Sequence, residues 1–223
     1  MTSESKARTN VSNTRLIFSK INHGLVMHTI LNQFSKIGIS ITPYYWVQEG
    51  LVMKEIPQPE GNPDDYSLIT LDSSDIKSII HNIRGVTLEE FLKRLEDGQI
   101  CFGIKYRNEI TSVMWANFNI CHHRPGGSKL EIDEAYLHGM YTFDAFRGQN
   151  IAPYLRYKCY EALRGMGRDK LYSITEYFNK SAFRYKQKLN AKNLELGLII
   201  DLFSKFRRRF HLRSYQDKTM SSL

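Results

Sequence analysis

The sequence lacks the features that mark several classes of protein. It contains no uninterrupted apolar run near the roughly 18 residues of a membrane-spanning helix. Its first ten residues, MTSESKARTN, have no apolar stretch behind their charges, so they do not resemble a secretory signal. We find no internal repeat and no low-complexity tract. These absences argue against a membrane-spanning, secreted or repeat protein.

Cysteine is scarce as well. Cys101, Cys121 and Cys159 are odd in number and far apart, which fits neither a disulfide framework nor a zinc site. The adjacent histidines His122 and His123 would point to opposite faces of a strand, and no acid or cysteine stands at ligand spacing beside them. We therefore predict no metal site and a protein of the reducing cytoplasm.

What is present is the composition of a packed globule. The chain has 223 residues, of which 42% are hydrophobic and 12% aromatic. A chain of this length buries a sizeable core without metals or cross-links, and it corresponds to one large domain or one domain with an extension.

The positive charge lies at the two ends of the chain. The formal net charge is +8; residues 1–38 hold five Lys or Arg and one acid (5 − 1 = +4), and residues 201–223 hold six and two (6 − 2 = +4). A nucleic-acid-binding domain usually has its basic residues on the folded body. The distribution therefore disfavours a nucleic-acid partner, and it leaves open a contact of the basic ends with an anionic membrane or an acidic protein.

The first 66 residues differ from the rest and are predicted to form an N-terminal extension. Apolar residues at helical spacing predict a helix over 15–37, an extended aromatic segment follows over 39–52, and residues 57–65 (PQPEGNPDD) form a loop or linker. The polar face of the helix is mostly Asn, Ser and His, which favours packing on the body or on a second subunit, as in a homodimer, over a membrane anchor.

Residues 67–223 are predicted to form the main domain. Its elements follow the order β-α-α-β-β-β-α-β-α-β-β, which indicates a mixed α/β (α+β) fold. Thr87 and Glu90 have the spacing of a capping box at the start of its second helix.

The most informative stretch is GMYTFDAFRGQNIA, residues 139–152. It predicts a strand, a short loop and a helix that opens near Ile151. The first amides of a helix lack intrahelical partners and lie at the positive end of its dipole. Gly148 would let a ligand approach the backbone closely, Asn150 tolerates a positive φ, and Arg147 adds a cation. The pattern is that of a pyrophosphate cradle, although glycine also serves turn geometry alone at many such junctions.

The same stretch resembles the acyl-CoA-binding signature of the GNAT superfamily of acyl-CoA N-acyltransferases, R/Q-x-x-G-x-G/A. Arg147 matches its first position and Ala152 its last, while Asn150 replaces the central glycine. Asn179, Ala182 and Tyr185 stand at spacings similar to the family's second CoA-contacting element. The resemblance extends from Ser67 to Arg213.

The resemblance implies a GNAT-like fold in which the central parallel strands, here 134–143 and 171–175, splay apart to admit the pantetheine arm. It implies acetyl-CoA or another acyl-CoA as co-substrate and no metal. The cofactor-binding residues that it implies are Tyr141, Phe143, Arg147, Gly148, Gln149, Asn150, Ile151, Ala152, Asn179 and Ala182. The backbone at Tyr141 and Phe143 would receive the pantetheine arm, and the amide of Tyr141 or of a neighbouring residue would polarise the thioester carbonyl.

The chemistry of acyl transfer from a thioester to an amine adds candidate catalytic residues. Direct attack on a thioester needs a neutral amine, a polarised carbonyl and a protonated leaving thiolate. The resemblance assigns the last role to Tyr185, whose ordinary pKa near 10 keeps it protonated; a helix-core tyrosine is the alternative. Glu134 and Glu176 are the candidate bases, with Asp133 and His138 also considered.

The acceptor stays open at this stage. The neutral body favours an amine of a small molecule as the acceptor of an acyl group, most simply acetyl. A protein or peptide amine is the second possibility, and a non-catalytic module that keeps CoA binding or only the fold is the third.

Overall fold

The computed structural model describes residues 33, 37–52, 55–121, 124, 129–203 and 205–215. The helix predicted for 15–37 and the histidines at 122–123 lie outside these residues, apart from Gln33 and Ile37. None of the described helices is both long and apolar enough to cross a membrane.

Eight strands and four helices follow one another along the described residues. They are β1 (Ile39–Glu49), β2 (Tyr66–Leu71), α1 (Ser73–Ile79), α2 (Leu88–Glu96), β3 (Ile100–Tyr106), β4 (Glu109–Asn117), β5 (Glu134–Thr142), α3 (Ile151–Gly165), β6 (Lys170–Glu176), α4 (Lys180–Lys188), β7 (Lys192–Leu202) and β8 (Phe206–Ser214). From β2 onward this is the predicted order, so the mixed α/β class is confirmed.

Local sequence explains where the first helices begin. Asp72 caps α1 by accepting from the amides of Ser74 and Asp75. At α2, Thr87 Oγ1 accepts from the Glu90 amide at 3.2 Å, and Glu90 Oε2 accepts from the Thr87 amide at 2.9 Å. The predicted capping box is therefore present, and it satisfies donors that a helix start leaves unpaired.

All eight strands form one sheet in the order β2-β3-β4-β5-β6-β1-β7-β8. The aromatic segment of the N-terminal extension is thus a strand inside the sheet, since β1 runs antiparallel to both β6 and β7. The division of the chain after residue 66 stays a prediction, but it does not mark an edge of the sheet.

The helices cover the two faces of the sheet. On one face α3 packs over β3, β4 and β5 through its own Leu155, Cys159 and Leu163, which are fully buried. On the other face α1 and α2 cover β2 to β4 around Phe91 and Trp115. These two cores fix the sheet from both sides and hold the central strands.

The central strands β5 and β6 are parallel but are paired only along their first halves. The pairing runs from Glu134 opposite Lys170 to Leu137 opposite Ser173. Beyond that point β5 continues to Thr142 and β6 to Glu176 without pairing to each other. The predicted splay of these strands is therefore present, and we call the space between their unpaired ends the gap.

A bulge in β5 accompanies the splay. Val113 of β4 pairs with Tyr141, but Trp115 pairs with His138, so two residues of β5 stand opposite one residue of β4. Gly139 lies in the bulge with φ +59°, and a Cβ there would meet Trp115 Cδ1 at 3.0 Å. A residue with a side chain would be both strained and crowded at this position.

Candidate acyl-CoA site

The site begins at the turn between β5 and α3. Asn150 is the residue before α3 and lies in the left-handed region, with φ +59° and ψ +17°, and Gly148 has φ +86°. The first i to i−4 bond of the helix is from the Tyr154 amide to the Asn150 carbonyl, at 3.4 Å. Pro153 has no amide hydrogen to offer.

The turn leaves a row of amides without partners. Within the described part of the chain, no hydrogen bond is donated by the backbone N–H groups of Gly148, Gln149, Asn150, Ile151 and Ala152. Unpaired amides at the positive end of a helix dipole suit a diphosphate well. The chain therefore offers what the phosphates of CoA require, and we call residues 148–152 the amide turn.

The side chain of Asn150 explains how the turn works without the central glycine of the signature. Its Nδ2 donates to the Gln58 carbonyl at 2.5 Å, and its Oδ1 accepts from Lys188 Nζ at 3.1 Å. The Glu60 amide also donates to the Gln149 carbonyl, at 3.0 Å. Asn150 thus ties the proline-rich loop and the end of α4 to the amide turn.

Arg147 is held beside the turn but is not a free cation. Its Nε donates to the Thr142 carbonyl at 3.1 Å, and its guanidinium lies 2.8 Å from an oxygen of Asp144. The side chain also lies over the Tyr141 ring, at 5.5 Å from the centroid. Its charge is therefore shared with Asp144, and its main effect is to fix the exit of β5.

The end of β5 differs from the expectation for Tyr141 and Phe143. The Phe143 amide donates to the Thr111 carbonyl at 3.0 Å, so it points towards β4 and not into the gap. Because orientation alternates along a strand, the Tyr141 amide points the same way, and the Thr142 backbone faces the gap. The sequence could not reveal this, since it depends on the register of β5.

Tyr185 lies on α4 against the core beneath α3. Burial raises the pKa of its phenol to about 12, an effect that nearby Arg156 opposes and Glu49 supports. The hydroxyl makes no hydrogen bond to another described residue. Tyr185 is therefore protonated throughout the neutral and mildly alkaline range, with its donor available.

Asn179 and Ala182 lie at the start of α4. Asn179 Oδ1 accepts from the Ala182 amide at 3.0 Å, so Asn179 caps the helix. The Ala182 amide is consequently occupied by this cap. Of these two residues, only Asn179 has polar groups outside the capping bond that a ligand could contact.

The two candidate bases lie at opposite ends of the central strands. Glu134 begins β5 at its paired end, where Arg124 contacts both carboxylate oxygens at 2.5 and 2.9 Å and the Glu131 amide donates at 2.9 Å. Four residues separate it from Gly139 in the bulge, about 16 Å of strand. Glu176 ends β6 at the open end of the gap and is exposed. The structure therefore places Glu176, and not Glu134, near the gap.

His138 stands where β5 leaves β6. Its Nε2 lies 2.8 Å from Gln99 Oε1, and its ring stacks on Tyr136 with centroids 5.4 Å apart. Among the described residues there is no group of three or more His, Cys, Asp or Glu arranged to hold a metal ion.

Sequence reasoning missed a buried polar cluster beneath α3 and α4. Glu49 of β1 accepts two hydrogen bonds from Arg156 of α3, at 2.6 and 2.7 Å, and one from Tyr160 at 2.5 Å. Ser173 donates to the same carboxylate, and Lys186 of α4 lies 3.2 Å from it. We call Glu49, Arg156, Tyr160, Ser173 and Lys186 the buried cluster.

The cluster reaches the point where β5 and β6 separate. Lys186 Nζ donates to Ser173 Oγ at 2.6 Å, to Thr175 Oγ1 at 2.6 Å and to the Ile174 carbonyl at 3.1 Å. Ser173 is the last residue of β6 paired with β5. Burial alone would raise the pKa of Glu49, but Arg156, Lys186 and the hydrogen bonds hold it well below its ordinary range.

Comparison with solved structures identifies the fold. A GNAT-family putative acetyltransferase from Novosphingobium aromaticivorans superposes with a TM-score of 0.52 at 13% identity, over 74% of this chain and 66% of the other. A GCN5-related N-acetyltransferase from Sphaerobacter thermophilus gives a TM-score of 0.52 at 11% identity, over 83% of this chain and 57% of the other. This chain therefore has the GNAT fold, and the predicted fold is confirmed.

The fold is what these comparisons establish. The chain spans about two thirds of the first of these structures and 57% of the second. No protein-family model and no curated protein matches the sequence.

Proposed function

We propose that the protein is an N-acyltransferase that moves an acyl group, most simply acetyl, from acyl-CoA to an amine of a small molecule by direct attack. One observation carries the proposal. In a GNAT fold, five amides that donate to no described residue stand at the start of α3, beside a gap between the only parallel strands of the described sheet.

The amide turn would hold the diphosphate of CoA. Its amides converge at a helix start and supply fixed donors, so no side chain has to be ordered on binding. Lys188, already 3.1 Å from Asn150, would add a cation at the same place. The pantetheine arm would then run along the gap, where the Thr142 backbone faces it.

Tyr185 would contact the leaving sulfur. With a pKa of about 12 it is a weaker acid than an ordinary thiol, whose pKa is near 8.5, so complete proton transfer to a thiolate is uphill. Its role is therefore to donate a hydrogen bond to the sulfur as the carbon–sulfur bond breaks.

The amine would enter from the open end of the gap and lose its proton there. Glu176 is the carboxylate at that end, and we assign it the role of base, directly or through a water. Glu134 receives no role, because Arg124 neutralises it at the other end of β5. Cys101, Cys121 and Cys159 are buried and form no disulfide within the described residues, which suits activity in a reducing cytoplasm.

An added negative charge in the amide turn tests the proposal. Ala152→Asp places a carboxylate in the first turn of α3, where the helix dipole favours it, so the fold should be as stable as before or slightly more stable. The same carboxylate repels a diphosphate. CoA should raise the melting temperature of the wild type and of the control Ala152→Ser, but not that of Ala152→Asp.

Turnover is then measured as release of free CoA from acetyl-CoA with a panel of amines. If CoA stabilises Ala152→Asp as much as the wild type, or stabilises neither, the amide turn does not bind the cofactor and the proposal is wrong.

A further inference from the structure

The buried cluster has an unbalanced charge. Its ionised side chains are Glu49, Arg156 and Lys186, which sum to 2 − 1 = +1. Their exposed side-chain fractions are 0%, 2% and 6%. A buried charge without a counter-charge is costly, so such an arrangement is retained only where something else offsets it.

Tyr160 of the cluster and the neighbouring Tyr185 do not supply the missing negative charge. Burial raises the pKa of Tyr160 well above its ordinary value and that of Tyr185 to about 12, so both remain neutral. Burial also lowers the pKa of Lys186 to about 8, while Glu49 opposes this and Arg156 supports it. The ammonium is therefore charged at neutral pH but less stable than in water, as expected for a cation that lacks a full partner.

Lys186 lies beside the point where β5 and β6 separate, which is where the proposed function places the sulfur of CoA. Lys186 directly follows Tyr185 on α4 and is bound to the first residues of β6 beyond its pairing with β5. When an amine attacks a thioester, the new carbon–nitrogen bond forms, the carbon–sulfur bond breaks, and the electron pair of the broken bond goes to sulfur. The amine proton leaves to the base, so the sulfur departs as a thiolate.

We propose that Lys186 stabilises the thiolate of CoA as it leaves, through the excess positive charge of the buried cluster. The inference rests on the proposed function, because it takes the sulfur of CoA to lie at the gap. Tyr185 is too weak an acid to protonate the thiolate fully. A nearby positive charge therefore has to stabilise the thiolate that remains. Lys186 keeps its three hydrogen bonds and acts at short range in a low-dielectric site.

The proposal predicts a pH dependence that needs no acceptor. Below pH 8 the free protein has a charged Lys186 and free CoA has a neutral thiol, so formation of the ammonium–thiolate pair releases one proton. Binding should therefore strengthen as pH rises and level off near pH 8, where free Lys186 itself loses its proton. The groups that face Lys186 are Glu49 of β1, Arg156 and Tyr160 of α3, Tyr185 of α4, and Ser173 and Thr175 of β6.

The experiment compares CoA with desulfo-CoA, which lacks the sulfur, by calorimetry between pH 6 and 9. For the wild type, CoA should bind about threefold more tightly than desulfo-CoA at pH 8, which is the preference that a one-unit lowering of the thiol pKa from 8.5 produces at that pH, with no such preference at pH 6. Lys186→Met should lose the preference at every pH, and it should fold, since an apolar side chain of similar size removes the excess buried charge of the cluster and leaves Glu49 paired with Arg156.

Two further variants separate electrostatics from structure. In Lys186→Arg the preference should persist and keep rising towards the ordinary thiol pKa near 8.5, because arginine does not titrate in this range. Arg184→Met removes a charge from the exposed face of the same helix and should behave as the wild type.

The outcomes distinguish a failure of the role proposed for Lys186 from a failure of the proposed function. Desulfo-CoA binding as tightly as CoA to the wild type at every pH would overturn the role of Lys186 and leave the proposed function standing. The same holds if Lys186→Met retains the preference. If neither ligand binds the wild type, the proposed function itself fails, and the inference fails with it.

Discussion

The amide turn and the buried cluster are two polar regions only one helix turn apart, at the first residues of α3 and beneath its middle, yet they are built in opposite ways. The turn exposes donors that no described residue satisfies. In the cluster Glu49 is fully buried and accepts from Arg156, Tyr160 and Ser173. A site for a soluble diphosphate must keep its donors free, whereas a site that holds charge in the interior must satisfy nearly every group.

This difference predicts where the molecule is fragile. Groups in the turn that already face water lose little when they change. Removal of Glu49 or Arg156 from the cluster leaves an interior charge with no way to reach solvent. Stability should therefore respond strongly to the cluster and weakly to the turn, while ligand affinity should respond the other way round.

Glu49→Gln should have the largest effect on stability. It keeps the shape of the side chain but leaves Arg156 and Lys186 buried without an anion, which should cost about 3–5 kcal/mol of unfolding free energy. Urea denaturation would measure the loss. The double variant Glu49→Gln with Lys186→Met restores the net charge of the wild-type cluster and should recover part of it.

Glu134→Gln is a matched control for Glu49→Gln. It makes the same chemical change at another buried carboxylate, but its partner Arg124 is 23% exposed and can turn towards water. The cost should therefore be clearly smaller. Equal losses at Glu49 and Glu134 would show that the charge of the cluster is not enclosed as described.

Tyr185→Phe should have the next largest effect, and on rate instead of stability. Loss of one preorganised donor to a developing negative charge typically lowers kcat about 100-fold or more. The phenol makes no hydrogen bond within the described residues, so stability should change little and CoA should still bind. The measurement is CoA release with a competent amine, beside the melting temperature with and without CoA. Unchanged turnover would remove Tyr185 from the mechanism.

The contrast between the amide turn and the buried cluster also explains how much of the site could be predicted from the sequence. The amide turn lies within residues 147–152, so local pattern and a family signature could locate it, and the capping box at Thr87 was found in the same way. The cluster joins Glu49, Arg156 and Lys186, which are far apart in the chain. No local pattern links them, and Glu49 lies in the segment that the sequence assigned to an extension.

The register of β4 and β5 is the second feature that could not be predicted from the sequence. Prediction of the strands of the main domain was good, but which amides face the gap depends on the bulge at Gly139, where β4 and β5 shift relative to each other. The alternation of side chains along a strand sequence does not reveal such a shift. For this reason the sequence pointed to the backbone of Tyr141 and Phe143, while the structure presents that of Thr142.

Substitutions of Asn150 should have the smallest effect on the free energy of unfolding, and they test the amide turn alone. Asn150→Gly removes the bonds to Gln58 and Lys188 but keeps the left-handed backbone, so it should cost under about 1 kcal/mol. Asn150→Ala removes the same bonds and adds strain at φ +59°, and it should cost about 1 kcal/mol more than the glycine variant. Urea unfolding of the two variants beside the wild type isolates the backbone contribution from that of the side chain. If the glycine variant were the less stable of the two, the left-handed geometry of the turn would be wrong.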